Sequence, residues 1–191
     1  MKKSGRENFT RYKKIIFFVS KIIGIFSEKT QKNFFDRINK GESKLKLVLR
    51  YAIIKNICKS CGDNVFIGEY VTIKNMENLS LGNNVSIHKN CYIDALGSIT
   101  IGNDVSIAND SKLISFNHGY DDVNIPIKYN KLKLGKIDIS SDVWIGTNCV
   151  ILANVRIEKR VIVAAGSVVT KDLKGKHIYG GVPSKIIKVI E

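Results

Sequence analysis

A histidine at position 118 lies in the stretch of this chain whose residue types could carry out acid–base chemistry. The stretch reads LISFNHGYDDVNIPIKYNKLKLGKIDIS from Leu113 to Ser140. A neutral imidazole can accept a proton from a hydroxyl group near neutral pH, because histidine ordinarily titrates at about pH 6.5. His118 is therefore the candidate general base. The other two histidines, His88 and His177, lie in more regular sequence.

The elements that must position His118 are indicated by aliphatic residues that recur every six positions. Downstream the series is Ile139, Ile145, Ile151, Ile157, Val163 and Val169, and upstream it runs in blocks that begin at Cys61, Leu81 and Ile101. A period of six fits neither a 3.6-residue helix nor a simple alternating strand. It is typical of a parallel β-helix, in which three hexapeptides close one triangular coil and the aliphatic residues point inward. Small residues at the fifth position, Cys91 and Cys149 among them, are interpreted as core filler.

The six-residue register slips by two residues between successive upstream blocks and has one long break, where Ile139 follows Leu113 by 26 residues. The excess must leave the coil as a loop, which we place at residues 114–138. A long excursion inside a compact domain is usually functional or disordered. This one contains His118 and a run of polar residues, so the sequence predicts an active-site loop.

The pattern resembles the hexapeptide-repeat acyltransferases, whose triangular β-helix is left-handed. The resemblance covers residues 61–191 and is strongest over DVWIGTNCVILANVRIEKRVIVAAGSVVTKDL (142–173) and GGVPSKIIK (180–188). Both stretches are similar to the galactoside, maltose and xenobiotic acetyltransferase branch. Within that branch, NHGYDDVNIPI is most similar to the O-acetyltransferases of bacterial capsule and lipopolysaccharide synthesis. The expected fold is an all-β, left-handed parallel β-helix with an N-terminal helical segment.

The resemblance implies an acetyl-CoA-dependent O-acetyltransferase that forms a homotrimer with active sites at the subunit interfaces. His118 would take the proton of a sugar hydroxyl, on a precursor of a surface polysaccharide, as its oxygen attacks the thioester directly. Backbone amides near a coil turn would stabilise the oxyanion, and neither a covalent enzyme intermediate nor a metal is needed. The implied donor contacts are Thr147, Ala165, Thr170, Lys171, Lys185 and Lys188.

Candidate contacts to the acceptor are His88, Asn90, Asn117 and Trp144. The segment HKN at 88–90 lies where the family keeps acceptor-contacting residues. The galactoside branch has an asparagine at the position of His88, so a galactoside is not the expected acceptor. Trp144, the only tryptophan, could pack on the loop and fix the pose of His118. Inert alternatives stay open for each: an exposed side chain for His88 and Asn90, and corner packing for Trp144.

Other functions of the same fold are alternatives. One is an acetyltransferase for an antibiotic or an amino-sugar nitrogen, and another is a β-helix scaffold without catalysis. A metal-dependent hydratase needs three histidines that converge on zinc, and His88, His118 and His177 are poorly spaced for that. Cys58 and Cys61 form a CxxC, but no second pair follows at zinc-finger spacing.

The N-terminal segment, residues 1–60, is basic and is predicted to be helical. It carries 16 Lys+Arg and 4 Asp+Glu, a net charge of +12, whereas residues 61–191 carry 15 and 13, a net charge of +2. RYKKIIFFVSKIIGIF and KLKLVLRYAIIKNIC are amphipathic, with a polar stretch between them. Two interpretations stay open: the helices cover the end of the β-helix, or they contact an anionic membrane surface.

The remaining expectations concern domain limits and location. The β-helix is assigned to residues 61–172, and residues 173–191 form a C-terminal extension that completes the CoA site. Nucleic-acid binding is not expected, because the basic charge comes without a recognisable motif. Ile15–Phe26 is too short to span a bilayer and no cleavage site follows it, so we expect a cytoplasmic protein, in contact with the inner face of the membrane if the second interpretation holds.

Overall fold

The structure, a computed structural model, describes residues 5–191. Three helices come first: α1 (Gly5–Ile23), α2 (Glu28–Arg37) and α3 (Lys44–Ile57). Short strands follow to the C-terminus and stack in parallel on three faces of a prism. Residues 1–4 of the predicted N-terminal segment lie outside the described residues.

The three faces, named A, B and C, are built from strands that the chain visits in turn. Face A consists of β1 (Ser60–Cys61), β4 (Leu79–Leu81), β7 (Ile99–Ile101), β12 (Ile137–Ile139) and β15 (Arg156–Ile157). Face B consists of β2 (Phe66–Ile67), β5 (Ser86–Ile87), β8 (Ser106–Ile107), β13 (Val143–Ile145), β16 (Val161–Val163), β18 (His177–Gly180) and β19 (Lys185–Val189). Face C consists of β3 (Thr72–Lys74), β6 (Tyr92–Asp94), β9 (Lys112–Ile114), β14 (Val150–Ile151) and β17 (Val168–Val169). A hairpin of β10 (Phe116–His118) and β11 (Leu132–Leu134) lies outside the faces.

The predicted six-residue register is the inward-facing core of this prism. Every member of the downstream series is buried, and equivalent residues pair one coil apart, as Ile139 does with Ile157 and Ile145 with Val163. Cys91 and Cys149 are buried at their fifth positions, as predicted. Stacked aliphatic side chains about 4.8 Å apart exclude water from the axis and stabilise the prism.

All departures from the six-residue period fall at one corner, the corner at which face C leads to face A. In the first coil this corner contains a 3₁₀ turn, Met76–Asn78, and in the second it contains a turn at residues 95–98. In the third coil it contains the long excursion, after which Ile137 pairs with Ile99 and the stacking resumes. The coils above and below the excursion therefore remain in register, and one corner is free to vary.

The N-terminal helices cover the first coil, as the capping interpretation predicts. Arg50 of α3 is fully buried and donates to the carbonyl oxygens of Ile67, Ile38, Asn39 and Gly41 at 3.0–3.2 Å. This side chain joins the helices to the first coil. The polar stretch between the two predicted helices contains a third helix, α2, which buries Phe35 completely.

The C-terminal extension, residues 173–191, contains two regular strands. Strand β18 adds a further parallel strand to face B beside β16, and β19 then turns back antiparallel to β18. Residues between these two strands reach the adjacent corner, where Ser184 N donates to the Val168 carbonyl and Val168 N donates to that of Gly181. The β-helix is thereby closed at its C-terminal end.

Candidate active site

His118 lies at the tip side of the hairpin that leaves the C–A corner. The backbone of β10 pairs with β11, with His118 opposite Leu132 and Phe116 opposite Leu134. The imidazole is exposed, and among residues 5–191 it has no hydrogen-bond partner. Asn117, the neighbouring candidate, is exposed too. A regular hairpin therefore presents an uncommitted imidazole to whatever docks beside it.

Asn130 shapes the rest of the excursion, and the sequence analysis missed it. It is buried, its Nδ2 donates to the carbonyl oxygens of Asp122, Ile125 and Pro126, and its Oδ1 accepts from the Asp122 N–H. One side chain thus satisfies the backbone of a turn that has no strand partner. Its place just before the return strand was the available signal, since buried backbone groups in irregular segments need such partners.

A buried carboxylate, Asp94, lies directly beneath the root of the hairpin. Ser115 donates to the Asp94 carbonyl through both its N–H (3.1 Å) and its Oγ (2.7 Å). The Asp94 carboxylate accepts from Asn75 Nδ2 at 2.7 Å and from the Tyr92 hydroxyl at 3.3 Å. Burial and the neighbouring Asp94 raise the pKa of Tyr92, so the phenol keeps its proton and donates.

The close approach of backbones at this root requires a glycine. A Cβ at Gly97 would overlap the Ser115 carbonyl oxygen and would come within 2.7 Å of Gly135 N. The hairpin is consequently held tightly against the second coil at its base. Two features of the sequence could have indicated the role of Asp94. It is a charged residue directly after inward-facing Ile93, and the block that contains it exceeds one 18-residue coil by two residues.

The remaining acceptor candidates lie elsewhere on the prism. His88 follows β5 on face B and packs its ring against Phe66 at a centroid distance of 5.5 Å. Asn90 occupies the next corner with a φ of +60°, as Asp110 and Asn148 do in later coils. Asparagine and aspartate tolerate this left-handed conformation, so the backbone by itself accounts for the residue type at position 90.

Trp144 points outward from face B, between Ser106 and Ile162 on the neighbouring strands. It is 53% exposed and lines a shallow cavity of about 270 Å³ together with Arg160, and no residue of the hairpin lines it. In a triangular prism the C–A corner is opposite face B. Within one copy of the chain, the body of the prism therefore lies between Trp144 and His118.

Two of the donor candidates, Thr147 and Ala165, stack one coil apart at the corner between faces B and C. The Gly166 N–H donates to the Thr147 carbonyl, and Thr147 Oγ1 donates to the Asn109 carbonyl at 2.8 Å. Within the described chain, neither the Thr147 N–H nor the Ala165 N–H has an acceptor. Both residues are exposed, so this corner offers a short ladder of free backbone donors.

The candidate phosphate contacts are less tightly grouped. Lys185 begins β19 opposite Gly180, which brings it towards the same B–C corner, and Lys188 lies further along β19 opposite Ile178. Thr170 and Lys171 follow β17 at the C–A corner of the last coil. All four are exposed. The structure thus brings Thr147, Ala165 and Lys185 together, and places Thr170 and Lys171 at the other edge of face C.

The excursion exposes an unusual amount of apolar surface. Val123 is 89% exposed, and the other large apolar side chains that it leaves uncovered are Tyr120, Ile125, Ile127, Tyr129, Leu132 and Leu134. This many exposed apolar side chains in one segment are typical of a surface that contacts a partner. It adjoins His118 along the same hairpin.

The CxxC cysteines lie under the helices and belong to neither candidate site. Burial raises the pKa of Cys58, and it raises that of Cys61 to about 12, so both remain thiols at neutral pH. Across residues 5–191, no three histidine, cysteine or carboxylate side chains converge into a metal-binding cluster. His177 is partly buried, with Nδ1 2.5 Å from the Gly175 carbonyl oxygen.

Comparison with known proteins identifies the repeat. A family model described as "Bacterial transferase hexapeptide (six repeats)" matches residues 136–171. A 50-residue part of the chain is 50% identical to 2,3,4,5-tetrahydropyridine-2,6-dicarboxylate N-acetyltransferase of Staphylococcus aureus, which is 26% of this chain and 21% of that enzyme. The chain therefore spans about a fifth of the length of this relative.

Solved structures match over most of the chain. A hexapeptide-repeat acetyltransferase of Vibrio cholerae O1 biovar eltor, complexed with acetyl-CoA, is similar with a TM-score of 0.76 and 25% identity, over 86% of this chain and 87% of that one. Galactoside acetyltransferase in complex with coenzyme A is similar with a TM-score of 0.75 and 26% identity, over 86% and 80%. The predicted resemblance and the left-handed hexapeptide-repeat β-helix are confirmed.

Proposed function

We propose that this chain is an acetyltransferase that moves an acetyl group from acetyl-CoA to a sugar hydroxyl, with His118 as the general base. The observation that carries the proposal is the exposed imidazole, without a hydrogen-bond partner among residues 5–191, on a paired hairpin that interrupts an otherwise regular β-helix. The named structural relatives that contain acetyl-CoA or coenzyme A support the choice of donor.

The chemistry follows from the weakness of an alcohol as a nucleophile. His118 accepts the hydroxyl proton as the oxygen attacks the thioester carbon, because an alcohol scarcely ionises at neutral pH. The C–S bond then breaks, and the imidazolium returns the proton to the leaving thiolate. Backbone amides near a coil turn stabilise the oxyanion between these steps. The acyl group passes directly from donor to acceptor.

The B–C corner offers what a coenzyme A arm requires. The free N–H groups of Thr147 and Ala165 suit the amide carbonyls of pantetheine, and the small side chain of Ala165 allows close approach. Lys185, which begins the next strand, supplies charge for a phosphate, and Lys188 lies beyond it. Thr170 and Lys171 complete the donor contacts from the last coil.

We propose that the working form is a homotrimer. Within one copy, His118 lies apart from the face that carries Trp144 and from the corner that carries Thr147. A site that uses all three residues therefore needs a second copy. The exposed apolar surface of the excursion supports this, because burial against a neighbour would remove it from water. A monomer with full activity in light scattering would overturn this arrangement.

The proposed acceptor is a saccharide, and a surface-polysaccharide precursor is the finer proposal. The segment NHGYDDVNIPI supports it only by its resemblance to O-acetyltransferases of capsule and lipopolysaccharide synthesis. A nitrogen acceptor is the second candidate, because the Staphylococcus aureus relative is an N-acetyltransferase, and an amino sugar is the nitrogen acceptor that parallels the proposed saccharide. Cytoplasmic location stays a prediction that goes with the acetyl-CoA donor.

The test is release of free coenzyme A from acetyl-CoA with two matched acceptor panels. One panel contains neutral saccharides and the other contains the corresponding amino sugars, so the pairs differ only at the acceptor atom. Faster release with the hydroxyl acceptors is the expected result, and faster release with the amines would favour the second candidate. If calorimetry detected no acetyl-CoA binding, the result would favour a non-catalytic β-helix scaffold over an acetyltransferase.

A further inference from the structure

Helix α1 turns a row of large apolar side chains towards solvent. Its inner face is buried at Ile16 and Ile23, which pack on the rest of the core. At about 100° per residue, Ile15, Phe18 and Ile22 form one strip about 60° wide that runs beside the buried face, with Phe18 on the side opposite that face. All three are exposed, Phe18 by 65%. An amphipathic helix that has already buried one apolar face thus carries a second apolar row.

The apolar row continues beyond the end of the helix. Ile25 is 80% exposed, and Phe26 is exposed beside it. Phe26 also lines a groove of about 390 Å³ together with Ile23, Phe34 and Arg37. Single exposed apolar residues are ordinary, but a contiguous row of this length marks a surface that contacts something.

Basic side chains surround the same row. Arg11, Lys14 and Lys21 lie on the outer half of α1, and Lys29 follows where α2 begins. In the described part of the chain none of the four forms an ion pair with a carboxylate. Two other bases of α1 do: Arg6 pairs with Asp104 and Lys13 with Asp63. Positive charge that no carboxylate neutralises therefore borders the apolar row.

We infer that this α1 outer surface, residues 11–29, docks on an anionic phospholipid bilayer with α1 lying in the plane of the interface. Exposed apolar side chains at the centre and cations at the margins are the arrangement that interfacial helices use, with the apolar row entering the headgroup region. No helix among residues 5–191 is long and apolar enough to cross a bilayer, so the contact is peripheral.

Charge decides against two copies that pair through this face about a two-fold axis. Two copies paired through this face would bring Arg11, Lys14 and Lys21 of one against the same residues of the other, within a segment of net charge +12. Like charges this close oppose association, whereas each lysine near an anionic lipid surface strengthens binding roughly fivefold. The inference is independent of the proposed acetyl transfer.

The experiment measures co-sedimentation of the full chain with vesicles of phosphatidylglycerol and phosphatidylcholine, against vesicles of phosphatidylcholine alone. Binding should require the anionic lipid and should fall as salt rises, since exposed charges are screened within about 10 Å at 0.1 M salt. Lys14→Glu with Lys21→Glu, and separately Phe18→Ser with Ile22→Ser, should each reduce binding by more than about tenfold.

Lys59→Glu with Lys159→Glu is the matched control, because both lysines are exposed, lie outside α1 and make the same change in net charge. This control should lose much less binding than the α1 charge variant. Equal losses would reduce the effect to net charge and overturn the inference. The inference would also be overturned if the full-length protein did not bind anionic vesicles at low salt. It would be overturned as well if the Phe18→Ser, Ile22→Ser variant changed its oligomeric state in sedimentation equilibrium, because the face would then be a contact between copies.

Discussion

Replacement of His118 by alanine should abolish acetyl transfer while leaving the fold intact. The imidazole is exposed and has no hydrogen-bond partner among residues 5–191, so its removal opens no cavity and orphans no polar group. The backbone pairing of His118 with Leu132 does not depend on the side chain. Surface substitutions of this kind change the free energy of unfolding by no more than about 0.5 kcal/mol, or roughly 1–2 °C in Tm for a chain of this size.

The catalytic loss should be far larger. Proton removal by a positioned base contributes roughly 10²–10⁴-fold to a rate, which corresponds to about 3–5 kcal/mol of activation free energy. Acetyl-CoA affinity should change little, since His118 is not among the proposed donor contacts.

The assay is coenzyme A release at saturating acetyl-CoA, with calorimetry for donor binding and thermal unfolding for the fold. His177→Ala is the matched control, because it removes an imidazole from the C-terminal strand and should leave the rate within about threefold of wild type. A His118→Ala enzyme that also stays within threefold would refute the role of this residue as base. Proton removal would then have to be assigned to another group, such as His88.

Three further perturbations test the donor site, the excursion and the N-terminal cap. Lys185→Ala should raise the KM for acetyl-CoA more than it lowers kcat, because a remote phosphate contact acts equally in ground and transition states; an unchanged KM would make Lys185 part of a solvated patch. Asn130→Ala should lower kcat with at most a small change in Tm, since it frees the excursion and not the coils, and retained activity would show that the turn orders without it. Arg50→Met should cost about 3–5 kcal/mol of unfolding free energy in denaturant titrations, because four carbonyl oxygens lose their donor; a loss below about 1 kcal/mol would mean that water replaces it.

The prism could be predicted from the sequence because its information is local. Each hexapeptide places one aliphatic side chain inward, so the spacing of Ile139, Ile145 and Ile151 predicts three faces. The residues that pair with them in other coils need not be known. An interruption of that rhythm is equally visible, which is why the excursion and His118 could be identified. The helices of the N-terminal segment were visible through their amphipathic period, but α2 was missed because its ten residues are mostly polar and bury little besides Phe35.

What the sequence could not determine is which residues share a neighbourhood. Asp94 contacts Ser115 at the root of the hairpin because a corner brings together segments that are 21 positions apart, and no local pattern encodes that contact. Trp144 and His118, in contrast, are close in the sequence but lie on opposite sides of the prism. Sequence by itself determined the repeat, the break and the candidate base. Only the tertiary structure decided the corner at which the break occurs and the separation of the site residues, because stacking joins coils through space and not along the chain.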